Sequence, residues 1–255
     1  MTVPPTPPLI GLKGIGKTYG SGTVALEGVD ASVREGGFVS LVGPSGCGKS
    51  TLLRIIAGLI APDHGQLSWP ASGARPSDIG FVFQDATLMP WARVAENVYL
   101  PLKLKGVAEN EAMPRVHDAL ARVGLTDFAD AFPRELSGGM KMRVSIARAL
   151  VTEPPVLLMD EPFAALDEFT RENLDDDLVT LWREQRFTAV FVTHSIYESV
   201  YLSERVLVMG ARPGRILADI AIDAPYPRGR AFRESANYIE TCARVSAALR
   251  EGVAA

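Results

Sequence analysis

The most informative segment of this sequence is Gly43-Pro44-Ser45-Gly46-Cys47-Gly48-Lys49-Ser50-Thr51. It fits the pattern G-x-x-x-x-G-K-[ST] and lies between an apolar run, Phe38–Val42, and a stretch with helical spacing, Ser50–Leu59. Glycines let successive N–H groups turn towards an anion, and a helix N-terminus adds a positive dipole end. A strand, this loop and a helix in that order therefore predict a phosphate-binding loop.

The loop residues have individual expectations. We expect Lys49 to reach the β- and γ-phosphates of a nucleotide, Ser50 to ligate Mg²⁺ and Thr51 to make a more distal phosphate contact. Cys47 stands close to a helix N-terminus, which lowers thiol pKa values, so a reactive thiol is expected there. The predicted nucleotide contacts in this loop are Gly43, Pro44, Ser45, Gly46, Cys47, Gly48, Lys49, Ser50 and Thr51.

Two carboxylates follow a second apolar run, Val156–Met159. A strand end is a rigid position for an acid that faces Mg²⁺. We therefore expect Asp160 to be the metal partner, through water, and Glu161 to polarise an attacking water molecule.

A third motif, Leu136-Ser137-Gly138-Gly139-Met140, opens a stretch with helical spacing. Ser137 is a favourable N-cap, and the glycines leave N–H groups open to an anion. On these grounds alone a capped helix start is the simpler interpretation.

The order of elements predicts an α/β fold with a parallel sheet. The runs Val156–Met159 and Thr188–Thr193 are almost continuously apolar, as in parallel strands covered on both faces. Glu172–Arg186 is the expected crossover helix, and its acids Asp175–Asp177 are expected on a solvated face. Helical patterns dominate from about 85 to 150, at Glu96–Leu104, Glu111–Val123 and Ser137–Leu150.

Composition limits the classes of function. Apolar residues make up 47% of the chain, enough for a large core, and 26 basic against 30 acidic residues give a net charge of −4. This charge argues against broad nucleic-acid binding. Two cysteines favour a reducing compartment, no apolar run is long enough to span a bilayer, and Met1–Pro8 is not a secretory signal. We expect a cytoplasmic protein that meets a membrane only through a partner.

Taken together, the motifs resemble the nucleotide-binding subunit of an ABC transporter over about Ile10 to Ile222. The resemblance implies a P-loop NTPase (RecA-like) ABC nucleotide-binding domain with a parallel-sheet core, an N-terminal antiparallel β part and a helical subdomain. It implies a Mg²⁺-dependent ATPase coupled to transport. The implied division is a flexible Pro-rich tail (1–8), an ABC ATPase domain (9–225; core 9–84 and 151–225, helical subdomain about 85–150) and a C-terminal helical extension (226–255).

The resemblance assigns further residues. Tyr19 is implied to stack on adenine, Gln84 to contact Mg²⁺ and water, and His194 to contact the γ-phosphate as the switch histidine. Ser137, Gly138 and Gly139 are the signature that contacts ATP, and Asp167 ends the D-loop motif Ala165-Leu166-Asp167. The implied catalytic residues are Glu161, His194, Lys49 and Gln84; the implied metal-site residues are Ser50, Gln84 and Asp160.

Two positions depart from the family pattern. Met140 stands where the signature most often has Gln, and Ala164 stands where Ser is common before the D-loop motif. The signature contacts are implied for Ser137 and the two glycines, and Glu161 is present, so we expect activity to be kept.

The resemblance also implies partners. Two subunits pack head to tail around ATP, which implies a homodimer or a heterodimer with a related chain. The helical part, including Asp85–Leu100 with Trp91, is expected to meet a membrane permease, although these apolar residues also fit simple packing of the insert. The subunit is then peripheral on the inner face of the membrane, and cargo selection lies with the permease and a solute-binding protein.

Four segments, 136–150, 159–167, 193–202 and 211–216, are similar to importers of the nitrate, sulfonate and taurine group, which also includes importers of pyrimidine vitamin precursors. An importer subunit is the expected function. An ABC ATPase of an exporter or of a membrane complex that moves no solute is the alternative, and a soluble non-transport ABC ATPase is the next one.

Overall fold

A computed structural model describes residues 8–69 and 78–254. The tail predicted at 1–8 lies outside them except for Pro8. The strands in the described ranges are β1 (Ile10–Thr18), β2 (Val24–Val33), β3 (Phe38–Val42), β4 (His64–Ser68), β5 (Ile79–Val82), β6 (Val156–Asp160), β7 (Thr188–Thr193), β8 (Arg205–Met209) and β9 (Ile216–Ala221). The helices there are α1 (Lys49–Ile56), α2 (Val94–Leu104), α3 (Glu109–Arg122), α4 (Gly138–Leu150), α5 (Glu168–Gln185), α6 (Ile196–Leu202), α7 (Arg230–Arg233) and α8 (Ala236–Ala254).

The strands form two sheets, as expected. A six-stranded sheet has the order β5-β6-β7-β3-β8-β9, and its first five strands run parallel. The edge strand β9 returns antiparallel to β8, so the core sheet is mixed at one edge. A three-stranded antiparallel sheet, β2-β1-β4, is the predicted N-terminal β part.

The central strands are buried on both faces, which explains their continuous apolar runs. In β6, Val156 and Leu158 pack into the core shared with α1 and the three-stranded sheet. Leu157 and Met159 point the other way, into the core shared with α2–α6 and α8. The period of two along each strand thus divides one apolar run between two cores.

The helical part lies between β5 and β6 in the sequence, as predicted. Its helices begin and end within two residues of the predicted bounds. Gly106 and Gly124 have positive φ angles of 79° and 68° just after α2 and α3, the left-handed conformation in which helices commonly end. None of the helices in the described ranges is long and apolar enough to cross a bilayer.

One expectation for α5 is wrong. Asp175 does not belong to a solvated acidic face: it is buried, and its Oδ2 lies 3.6 Å from Nη1 of Arg233 on α7. Asp176 is exposed and Asp177 is half-buried. The acid is covered because the C-terminal segment folds back over α5, a contact that the local pattern of α5 does not reveal.

Candidate functional site

The carboxyl ends of four neighbouring strands bring the predicted site residues to one edge of the sheet. Val82 on β5 pairs with Met159 on β6, so Gln84 and Glu161 each lie two residues past a paired position. Asp160 pairs with Val192 on β7. Val42 on β3 pairs with Thr193, so the loop at 43–48 begins beside the segment that carries His194. Parallel sheets bind ligands at this edge.

The glycine-rich loop turns sharply between β3 and α1. Gly46 and Gly48 have φ angles of 75° and 100°, which other residues rarely adopt. A Cβ atom on Gly48 would lie 2.7 Å from the carbonyl oxygen of Ala25. Gly48 is the N-cap of α1 and makes no side-chain cap, so no capping side chain occupies the N–H groups that this helix presents to an anion.

Lys49 joins this loop to the end of β6. Its side chain is buried, and its ammonium group donates to the carbonyl oxygens of Gly43 at 2.9 Å and Pro44 at 3.2 Å. The same Nζ lies 3.4 Å from Oε1 of Glu161. The cation is therefore held at the mouth of the loop by groups that a phosphate can replace.

Glu161 stands between Lys49 and His194. Its second oxygen, Oε2, lies 3.3 Å from Nδ1 of His194. Its backbone has a φ of 47°, and its N–H donates to the carbonyl oxygen of Val192 at 2.9 Å. A non-glycine residue in this strained conformation, fixed to the neighbouring strand, is a feature common at functional sites. The predicted water-polarising acid, the lysine and the switch histidine are thus in contact.

Ser50 and Asp160 form a second pair of oxygen donors. The hydroxyl of Ser50 donates to Oδ1 of Asp160 at 2.8 Å. Burial raises the pKa of Asp160, and the bond from Ser50 opposes this rise. The nearby Glu161 carboxylate raises the pKa of Asp160 further, so a cation at this position would relieve an electrostatic cost.

The remaining predicted residues of this group lie at the edge of the loop. Tyr19 follows β1, is 39% exposed, and its hydroxyl lies 3.1 Å from Oγ1 of Thr51. Its ring therefore borders the first turn of α1. Gln84 is exposed beyond β5, beside the end of β6.

The structure adds a support that the sequence reasoning missed. Nε of Arg212 donates to the carbonyl oxygen of Gly46 at 3.0 Å. A Cβ atom on the buried Gly214 would lie 2.1 Å from the carbonyl oxygen of Cys47. The turn between β8 and β9 therefore braces the phosphate loop, a contact over more than 160 positions that leaves no local pattern.

The lowered thiol pKa expected at Cys47 is not what the structure shows. The thiol is 1% exposed, and its burial raises its pKa although Lys49 acts in the opposite direction. The close packing of Sγ under the loop explains the difference, since desolvation outweighs the charges near the helix start.

The signature residues contact a different part of the chain. Ser137 caps α4, and its hydroxyl accepts from the N–H of Met140 at 3.3 Å. A Cβ atom on Gly138 would lie 3.3 Å from Leu166, and one on Gly139 would lie 2.7 Å from Thr170. Gly138 therefore faces the connection between β6 and α5, and Gly139 faces the first turn of α5.

Asp167 lies in the same connection as Leu166. Its exposed carboxylate caps α5 by accepting from the N–H of Thr170 at 2.9 Å, a bond that lowers its pKa. The contacts of Asp167 and the signature thus form one group, and those of Lys49, Ser50, Asp160, Glu161 and His194 form another.

The C-terminal helix also reaches the site. A cavity of about 440 Å³ lies between Gly43 and Pro44, His194 and Ile196, and three residues of α8. These are Ser246, Leu249 and Arg250. Nothing in the spacing of α8 distinguishes them from ordinary surface residues.

Comparisons with known proteins identify the family of this chain. The sequence profile described as "ABC transporter" matches residues 26–164. The chain is 46% identical to the aliphatic sulfonates import ATP-binding protein of Bacillus licheniformis, covering 84% of this chain and 85% of that protein. It is 47% identical to the taurine import ATP-binding protein of Rhizobium johnstonii, covering 80% and 79%.

The fold agrees as well. An ATP-binding cassette solved as a dimer in a post-hydrolysis state with ADP and Pi aligns with a TM-score of 0.73 at 35% identity, over 85% of this chain and all of that one. With the phosphate loop, the paired acids and the signature in family order, the chain belongs to the ABC transporter family, as one of its ATP-binding ATPase subunits.

Proposed function

We propose that this chain powers an importer of small sulfonates, of the aliphatic sulfonate and taurine kind, by hydrolysing ATP beneath a separate membrane permease. The main support for an ATPase site is the position of Glu161. Its two carboxylate oxygens contact Lys49 and His194 beside the phosphate loop. The solute class is supported by the two import proteins above, which share over 45% of their aligned residues with this chain.

The phosphates lie along the loop at 43–51 in this proposal. Lys49 exchanges its bonds to the Gly43 and Pro44 carbonyls for bonds to the β- and γ-phosphates, and Thr51 contacts a more distal phosphate. Tyr19 stacks on adenine, since its hydroxyl already contacts Thr51 at the start of α1.

The chemical step is an in-line attack by water on the γ-phosphate. Glu161 polarises that water, His194 contacts the γ-phosphate, and Gln84 orients water at the end of β5. Little covalent work falls to the protein, so fixing these groups and neutralising charge supply most of the rate enhancement.

The residues present fit Mg²⁺. This ion usually takes one or two protein oxygens and keeps waters and substrate phosphates as its other ligands. The Ser50 hydroxyl and the Asp160 carboxylate supply such a pair, and Gln84 follows the neighbouring strand β5. Burial raises the pKa of Asp160, and a bound cation would offset the cost of ionising it. Within the described ranges, no cluster of three or more His, Cys, Asp or Glu forms a protein-only metal cage. When bound, Mg²⁺ neutralises charge on the phosphates.

A second subunit completes each ATP site. The signature glycines Gly138 and Gly139 face Leu166 and Thr170, close to Asp167. Ser137 and Asp167 cap α4 and α5. These contacts are made apart from the loop at 43–51. A head-to-tail homodimer would bring these residues of one copy onto the ATP held by the other. The dimeric cassette that aligns with this chain supports that arrangement.

The permease contact is proposed at the segment 88–91. The side chain of Trp91 is 76% exposed, so it does not pack the helical part. The buried amide of Asn97 fixes the backbone around it by accepting from the N–H of Met89 at 2.7 Å and donating to the carbonyl of Ala92 at 3.1 Å. A large apolar side chain held out on a rigid turn fits a partner groove.

This arrangement implies a location and a further component. The subunit is peripheral on the cytoplasmic face of the membrane, and a solute-binding protein delivers cargo to the permease. ATP and Mg²⁺ are the small molecules that the subunit itself binds.

The test is ATP hydrolysis by the full chain in complex with its permease. Glu161→Gln should lower kcat at least about a hundredfold while ATP still binds, because the substitution removes the group that polarises water. Glu184→Gln, an exposed acid at the far end of α5, is the matched control. Normal turnover by Glu161→Gln would refute the assignment. Uptake of labelled taurine or an alkanesulfonate into proteoliposomes containing the whole complex tests the solute class.

A further inference from the structure

The two residues that flank His194 are tied to one buried acid. Glu198 on α6 is 6% exposed, and its Oε2 accepts a short hydrogen bond from the hydroxyl of Thr193. That hydroxyl oxygen also accepts from the N–H of Ser195 at 2.9 Å. Ser195 in turn caps α6 by accepting from the N–H of Glu198 at 3.3 Å. The backbone on each side of His194 is therefore fixed by Glu198.

The other oxygen of Glu198 faces α5. Nε of Arg171 lies 3.4 Å from Oε1 of Glu198; the Glu198 side chain is buried and that of Arg171 is half-buried. Nη2 of the same guanidinium donates to the carbonyl oxygen of Leu166 at 2.9 Å. Leu166 directly precedes Asp167 and contacts the signature glycine Gly138. One guanidinium thus connects the D-loop motif to the segment that holds His194.

We propose that Arg171 and Glu198 are positioning residues that make the D-loop motif at 165–167 and the switch segment at 193–195 move as one unit. The inference rests on the proposed role of His194 at the γ-phosphate. A second subunit that docks on the Asp167 surface would then set the position of His194 through Leu166, Arg171 and Glu198. Docking of the partner subunit would thereby change the position of His194 in the same chain.

Charge also favours the contact between Arg171 and Glu198. Burial raises the pKa of Glu198, and the bond from Thr193 and the charge of Arg171 act against the rise. Asp175, a second buried acid, faces Glu198 from α5 and has its own cation in Arg233. Removing Arg171 leaves the Glu198 carboxylate without its counter-ion beside another acid, a state that buried groups avoid by moving or taking up a proton.

The experiment is a double-mutant cycle on the full chain in its permease complex, using Arg171→Met and Glu198→Gln alone and together. ATP affinity is measured separately with a fluorescent ATP analogue, and folding by thermal melting. We expect each single substitution to lower kcat about tenfold and to leave ATP affinity within about twofold, since the loop at 43–51 is untouched. The double variant should be no slower than the slower single one, because both break the same link.

Asp219→Asn is the matched control. It removes the carboxylate of the ion pair between Asp219 and Arg205 at the sheet edge, away from the switch segment, and should leave kcat unchanged. Losses of kcat that multiply in the double variant would overturn the proposal, as would an equal loss of ATP affinity. His194→Ala is assayed alongside. If it keeps full turnover, the proposed role of His194 fails; if it loses turnover while Arg171→Met and Glu198→Gln keep theirs, only the link fails.

Discussion

The hydroxyl of Ser50 donates to Oδ1 of Asp160 at 2.8 Å, across 110 positions of the sequence. The bond joins the first turn of α1 to the end of β6. It does so at the carboxyl edge of the sheet, where β7 lies between β6 and β3. It positions both oxygens for a cation and keeps the carboxylate hydrogen-bonded in the absence of one.

Asp160→Asn should separate folding from function. The pKa of Asp160 is higher in the folded chain than in the unfolded chain. Ionising Asp160 therefore destabilises the folded state once the pH exceeds the unfolded-state pKa of this carboxyl. A neutral amide removes that cost, and we expect the nucleotide-free melting temperature at pH 7.5 to rise by about 2–4 °C. Calorimetry of the full chain measures this change.

The same variant should gain little stability from Mg²⁺ and ATP, and its kcat should fall at least about a hundredfold. Asp219→Asn serves again as the control, because it also replaces an acid by an amide and lies at the sheet edge. A lower melting temperature without nucleotide would contradict the reasoning.

Gly214→Ala should disturb the phosphate loop from a distance. The new Cβ would lie 2.1 Å from the carbonyl oxygen of Cys47 and 3.0 Å from that of Ala25, so the backbone must shift. We expect a loss of about 1–3 kcal/mol in unfolding free energy and weaker ATP binding. Gly229→Ala is the control, because its Cβ would meet no heavy atom within 4 Å. Equal melting temperatures for the two variants would exclude the brace.

Alkylation of Cys47 should be slow and pH-dependent. Because burial raises the thiol pKa, the protein holds the neutral thiol at pH 7.5, and the thiolate fraction grows as pH rises towards that raised value. In a Cys242→Ser background, inactivation by N-ethylmaleimide should accelerate from pH 7 to 9, and ATP should protect. A rate that levels off below pH 8 would indicate a lowered pKa instead.

Trp91→Asp should uncouple the subunit from its permease. The exposed indole is the proposed contact with the permease and lies outside the phosphate loop, so the purified variant should bind ATP normally. The amount of the subunit recovered with the permease in mild detergent should fall about tenfold or more. Ile239→Asp, at a 61% exposed site on α8, controls for an added surface charge. Undiminished assembly and transport by Trp91→Asp would rule out this surface.

The sequence predicts those features that local pattern encodes. The loop at 43–51, the acids after β6 and the glycines before α4 each carry a short motif whose spacing reflects its geometry. The apolar runs of β3, β6 and β7 follow from burial on both faces.

Other features depend on contacts between distant segments. Arg212 and Gly214 are ordinary turn residues until the fold lays them on the phosphate loop. Asp175 is buried only because α7 returns over α5, and desolvation at Cys47 overrides the helix dipole that its position suggests. No periodicity signals these contacts.

The strand order has a consequence for synthesis of the chain. β3 carries the phosphate loop at its end, yet its two neighbours are β7 and β8, which begin 150 and 167 residues after the start of β3. Until β7 has left the ribosome, both edges of β3 are unpaired, and the edge that pairs with β8 stays unpaired until Met209 has emerged. The Gly214 brace is missing for longer still. A nascent chain therefore carries the complete phosphate-loop motif long before it can bind nucleotide, and ribosome-bound intermediates must keep this apolar strand from pairing with other chains.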